Sequence, residues 1–181
     1  MSKSSASADS LIMGWLWNEI HDMFDEDDGS FPEICICGLT ATEVVAAYQL
    51  IRKQARFVVG GPRFFNREAG CEMELDQVDC AATLVCNKTA QPFHFMVRNL
   101  AFADGEIHEL GIFVLDNAIA LDYEKSRIWG ELQIETLLHL INQLKKGAEK
   151  AFIKLEDAVS PDDRQRLEKA LARLASPDPE N

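Results

Sequence analysis

Apolar residues recur at helical spacing near both ends of the chain and alternate with polar ones through its middle. Residues 9–24, DSLIMGWLWNEIHDMF, place Ile12, Trp15, Leu16, Ile20 and Met23 on one helical face, with Met13, Trp17 and Phe24 widening the stripe. An arc this wide predicts a helix that is buried on two sides or meets a partner at its outer edge, and burial is preferred. The acid-dense stretch 25–33, DEDDGSFPE, breaks the period with Gly29 and Pro32 and reads as a loop.

ICICGL (34–39) reads as a short buried strand running into a strong helix start. Thr40 and Glu43 have the spacing of a capping box, and Leu39 and Val44 that of a hydrophobic staple. Val44, Ala47, Tyr48 and Ile51 then continue at helical spacing to about Ala55. FVV (57–59) predicts a brief strand. CEMELDQV (71–78) alternates like a half-exposed strand, AATLVCN (81–87) reads as a more buried one, and FHFMV (93–97) alternates again.

Asp104-Gly105 and Asp116-Asn117 suit two-residue hairpin turns, because these residue types tolerate positive φ. Pairing outward from the second turn sets Val114 beside Ile119 and Ile112 beside Leu121 on one face. Ile134, Leu137, Leu138, Ile141 and Leu144 mark a long amphipathic helix, with Trp129 near its start and Lys145-Lys146-Gly147 as its stop. Residues 151–157, AFIKLED, suit either a short strand or a helical continuation, and the strand is preferred. Ser160 as N-cap, Pro161 at the first helical position and Asp162-Asp163 in the first turn open a final helix striped by Leu167, Leu171 and Leu174. The fold class expected is α+β: one antiparallel sheet of about five or six strands, with helices from the N-terminal region and the C-terminal third packed on it. The expected organisation is one domain over residues 9–175 between disordered polar tails, 1–8 and 176–181.

With 181 residues the core needs no disulfide or structural metal to hold it. LIMGWLW is too short for a signal-peptide core, and no run approaches the ~20 apolar residues that span a bilayer. The expectation is a cytoplasmic chain, without membrane contact, whose five cysteines are reduced. Cys35 and Cys37 point the same way from a strand. A tetrahedral zinc site needs two further ligands at close spacing, which the sequence lacks. They are read as metal-free core cysteines facing inward, and no cofactor is expected.

Thirty acidic against eighteen basic residues give a formal net charge of −12 and argue against nucleic-acid binding, since phosphate contacts depend on clustered Lys and Arg. The charge is segregated. Glu19 to Glu33 holds seven acids and Asp104 to Glu124 six, both without Lys or Arg, whereas Val44 to Arg67 holds five bases and no acid. Such runs predict distinct surface fields. Within the basic stretch, GGPRFFNREAG (60–70) brings Arg63, Phe64, Phe65 and Arg67 together as the candidate binding residues. Arginine and aromatic residues dominate interface hot spots, and loops carry binding. The blander account makes it a loop anchored to the core by its phenylalanines, its arginines pairing with the acidic loop at Asp25–Asp28; that account is preferred.

His94 and His108 fall on adjacent sheet segments near Glu106, Glu109, Asp122 and Glu124, a set suited to proton transfer or metal binding, although a solvated acidic edge is the preferred reading. The sequence contains no G-x-S-x-G, P-loop, G-x-G-x-x-G or H-E-x-x-H. Non-catalytic binding of a protein partner, of the inhibitor, immunity or chaperone type, is the favoured function. The alternatives are a small enzyme using His94 or His108 with a neighbouring carboxylate, and a self-associating structural protein.

Overall fold

A computed structural model describes residues 8–155 and 160–176, the side chains of 8–13 excepted. The expected tails fall outside these residues but for Ala8 and Ser176, as do the side chains of Ile12 and Met13. The chain runs α1 (Ala8–Ile20), α2 (Asp22–Asp25), β1 (Glu33–Cys37), α3 (Ala41–Gln54), β2 (Ala55–Val59), β3 (Arg63–Asn66), β4 (Cys71–Glu74), a 3-10 turn (Leu75–Gln77), α4 (Ala81–Cys86), β5 (Phe93–Phe102), β6 (Gly105–Val114), β7 (Ala118–Asp122), α5 (Glu131–Lys145), β8 (Phe152–Leu155) and α6 (Pro161–Ala175). The fold is α+β. Six antiparallel strands form the main sheet in the order β2-β5-β6-β7-β1-β8, and β3 and β4 form a separate hairpin.

Local signals explain several boundaries. The Glu43 amide donates to Thr40 Oγ1 at 3.4 Å while the Glu43 carboxylate accepts from the Thr40 amide at 2.7 Å, closing the capping box of α3. Ser160 Oγ accepts from the Asp163 amide at 3.1 Å, and Pro161 opens α6. The β6–β7 pairing is Val114 with Ile119 and Ile112 with Leu121, as the hairpin pattern predicts. Residues 152–155 form a strand, while 156 and 157 lie outside the described residues.

Other expectations need correction. Residues 81–86 are a helix, not a strand: Ala81, Ala82 and Val85 are buried at helical spacing, and α4 packs on α3. The strand expected over 71–78 ends at Glu74 and turns into 3-10 geometry, which carries Leu75 into the core. The N-terminal helix is divided at His21, whose Nδ1 donates to the Trp17 carbonyl at 2.7 Å.

One face of the sheet carries Ile34 and Ile36, Phe93, Phe95 and Val97, Leu110, Ile112 and Val114, and Ile119 and Leu121, all buried. Left-handed Asn99 (φ 51°) shifts the in-out phase on β5, so that Leu100 and its partner Ile107 also turn inward. The helices pack on this face, where Leu137, Leu138 and Ile141 of α5 complete the core. At one end Phe24, Tyr123 and Trp129 form an aromatic cluster with ring centroids 4.8–5.4 Å apart, and the Tyr123 hydroxyl donates to the Met23 carbonyl at 3.2 Å. Arg166 of α6 donates to the Glu19 carbonyl and to Asp22 (2.5 Å), tying the last helix to the first two.

Candidate functional site

Strand register fixes what stands on the opposite face. Partners across a ladder share a face, so Met96, Gly111, Asp122 and Glu33 form one row across β5, β6, β7 and β1. His94, Phe113, Ala120, Cys35 and Lys154 form the next, and Ala118, Cys37 and Phe152 a third. Phe57 and Val59 extend the surface on β2 beside Arg98 and Met96. Phe57 and Phe152 are 53% and 56% exposed, and Met96, Phe113, Val59, Cys35 and Cys37 are half-buried without joining the core. Among the described residues no helix packs on this face, which is mostly apolar.

Cys35 and Cys37 belong to it, which corrects their expected inward orientation. Because ICIC is apolar at every position, the pattern could not say which parity faces in; Ile34 and Ile36, the bulkier pair, take the core. The two sulfurs lie 2.9 Å apart. Burial, and then the hydrogen bond with Cys37, pushes the Cys35 thiol above its ordinary value.

Within the same face, His94 Nε2 lies 2.7 Å from Asp122 Oδ2. The contact depends on Gly111: a Cβ there would overlap both carboxylate oxygens of Asp122, so the missing side chain is what lets the carboxylate lie over β6. Arg98 pairs with Glu109 beside it. A depression of about 250 Å³ opens at this end, walled by Phe31, Met96, His108, Glu109, Asp122 and Trp129. The structure thus brings His108 and Asp122 to one hollow, while His94 reaches Asp122 from outside it. A carboxylate that orients an imidazole can assist proton transfer, but this pair is part-exposed, with side-chain exposures of 37% and 20%. A second depression of about 410 Å³ lies beyond Phe31 (56% exposed), lined by Met23, Tyr123 and Leu155 with Asp28, Lys125 and Asp163.

The four residues singled out from the sequence sit elsewhere. Arg63, Phe64 and Phe65 belong to β3 and Arg67 follows it, so the segment is half of a hairpin and not a loop. Phe64 is buried, its ring 5.8 Å from that of Phe93, while Phe65 is 37% exposed. Arg63 does not meet Asp25–Asp28. It pairs with Glu74 (3.2 Å) and Glu72 (3.9 Å) on the adjacent strand, and Lys125 instead meets Asp28 and Glu26. The Arg67 amide donates to the Thr89 carbonyl at 2.8 Å. The charge runs are also partly cancelled across the fold, by Arg52 with Asp76, Lys88 with Asp116 and Lys169 with Glu19. Segments far apart in sequence supply these partners, which is why the runs look uncompensated in one dimension.

Among the described residues no group of three or more His, Cys, Asp or Glu is placed to hold a metal ion, and no helix is long and apolar enough to cross a membrane. No protein-family model, curated protein or solved structure matches the chain.

Proposed function

We propose that the protein is a non-catalytic binder of a basic protein, docked on the helix-free face of its sheet. One observation carries the reading: Phe57, Val59, Met96, Phe113 and Phe152 stand where an antiparallel sheet facing water ordinarily shows polar side chains. Apolar patches of this kind, rimmed by polar groups, mark interaction sites, and aromatic residues and Met are enriched at interface cores. The partner's charge follows from the field. The chain carries −12 overall, and on the face itself three acids, Glu33, Glu109 and Asp122, stand against two cations, Arg98 and Lys154. A basic partner is attracted into this field and an acidic one repelled, with the effect felt mainly in the association rate. Inhibitor, immunity-type and chaperone-like roles would all use such a contact.

The test is capture by the immobilised chain, run in parallel with Phe113→Glu and Met96→Glu variants that retain the wild-type circular dichroism spectrum. The expected result is a basic partner whose affinity falls more than tenfold with either variant and whose association slows as salt rises. Binding that ignores both substitutions would overturn the proposal. Light scattering that shows a dimer lost in the same variants would replace it with self-association.

The enzymatic alternative has one observation in its favour, the Asp122 carboxylate shared between His94 and the hollow that His108 lines. Binding is preferred because proton-transfer sites gain from excluding water, and the His94–Asp122 pair stands part-exposed.

A further inference from the structure

Cys35 and Cys37 form a chemical unit that the binding reading does not use. They stand on the same side of β1, half-buried on the helix-free face, with Lys154 across the ladder from Cys35. Residues two apart on a strand have Cα atoms roughly 6.4–6.8 Å apart. That is the long end of the 4.4–6.8 Å span that a disulfide bridges. The sulfurs are already turned towards each other at 2.9 Å, against roughly 2.0 Å in a disulfide. The other cysteines sit elsewhere: Cys86 donates to the Ala41 carbonyl, Cys71 is exposed on β4, and Cys80 precedes α4.

We propose that Cys35 and Cys37 are an oxidative modification site, closing to a reversible intrachain disulfide by exchange with a small-molecule disulfide of the glutathione-disulfide class. The Cys37 thiolate attacks one sulfur of the small disulfide, breaking its S–S bond and releasing one small thiolate, which takes up a proton. Cys35 then gives up its proton and attacks the Cys37 sulfur of the mixed disulfide, forming the intrachain bond and expelling the second small thiol. One protein dithiol is oxidised, one small disulfide is reduced to two thiols, and two electrons pass between them.

The order of the two cysteines follows from their surroundings. Burial and the bond to Cys37 hold Cys35 as the thiol, which suits it to the second, intramolecular step, where its proximity to Cys37 substitutes for reactivity. Reversibility follows from strain. β1 is laddered to β7 on one side and β8 on the other, so it resists the shortening that closure demands. Strained disulfides have more oxidising potentials and are easily reduced again. The bridge is therefore labile.

The test equilibrates the full chain in glutathione buffers with a rising fraction of glutathione disulfide, followed by acid quench, alkylation and peptide mass spectrometry. The expected result is that the peptide holding both residues loses two hydrogens, resists alkylation at both sites and recovers with dithiothreitol. The Cys35→Ser variant should stop at a mixed disulfide on Cys37. Exposed Cys71 reports that the buffer oxidises thiols, through its own mixed disulfide. If Cys71 is modified while Cys35 and Cys37 stay alkylatable at every ratio, or carry only mixed disulfides in the unsubstituted chain, the proposal is overturned.

Discussion

On the covered face of the sheet Phe95, Val97, Leu110 and Ile112 are buried beneath helices, while on the other face no helix among the described residues lies above Met96, Phe113, Cys35 and Cys37. Both sets alternate along the same strands, and both are rich in apolar side chains. Burying a side chain of this size is worth roughly 1.5–3 kcal/mol, and on the open face that gain is only partly realised within the chain. The contrast separates residues that hold the fold from residues available to something else. A substitution should therefore act on stability or on binding according to its parity.

The largest effects test the covered side. Phe95→Ala and Phe64→Ala should each destabilise by about 3–5 kcal/mol, and Leu138→Ala by about 2–5 kcal/mol, in denaturant melts. Phe113→Ala, one strand away from Phe95 but facing outward, should cost under about 1 kcal/mol. Equal costs at Phe95 and Phe113 would mean that both faces are core, and the distinction would fail.

Gly111 gives a sharper test on the open face. Gly111→Ala drives a Cβ into the Asp122 carboxylate and should cost roughly 1–3 kcal/mol, as overpacking does. The same change in an Asp122→Ala background should cost much less, because the displaced group is gone. A double-mutant cycle measures the difference, and additive costs would show that the carboxylate does not lie over β6. Further from the sheet, Thr40→Ala should remove about 1 kcal/mol, read as a lower denaturant midpoint at unchanged m-value.

That Thr40 signal was legible in sequence because a cap is local: four residues contain the whole interaction. The Asp116-Asn117 turn and its register, and the Ser160-Pro161 helix start, were legible for the same reason. Residues 81–86 were misread because a short apolar run has no period of its own, and packing on α3 decided it. The orientation of Cys35 and Cys37 was hidden because ICIC offers two apolar parities, and only tertiary packing selects between them. The hollow beside Asp122 was half visible, since His94, His108 and the nearby acids were named together. The role of Gly111 was invisible, because a missing side chain signals nothing until its neighbour is placed.

A smaller effect concerns the contact between α6 and the N-terminal helices. The hydrogen bond from Arg166, opposed by burial and aided by its charge, lowers the Asp22 carboxyl below its ordinary 3.8. A carboxyl depressed on folding stabilises fully above its unfolded value, and that contribution disappears as pH falls through the lower folded one. Asp22 is largely solvent-accessible, so the amount is screened to about 1 kcal/mol or less. Asp22→Asn should thus lower stability at neutral pH and narrow its gap to the wild type in strong acid. A gap that stays constant down to the acid transition would assign the loss to something other than ionisation.

The smallest effect bears on which of two surfaces receives a partner. The β3–β4 hairpin repeats the two-sided pattern in miniature, with Phe64 in the core and Phe65 outward, and its Arg63 faces Glu72 and Glu74 across the ladder. Arg63 and Glu74 are each about half exposed, at 55% and 51%, so their attraction is weak and falls further with salt. Arg63→Ala with Arg67→Ala should change stability by about 0–1 kcal/mol, and Phe65→Ala by little more. If the sheet face is the docking surface, these three changes leave a captured partner bound and do not slow its association, since removing two cations only deepens the acidic field that draws a basic partner in. If the hairpin is the anchor, the arginine pair should slow association and flatten its salt dependence, and Phe65→Ala should speed dissociation. Because neither set of changes unfolds the chain, the two outcomes can be read directly from association and dissociation rates. A hairpin result combined with silent Phe113→Glu and Met96→Glu variants would move the binding site from the sheet face to β3.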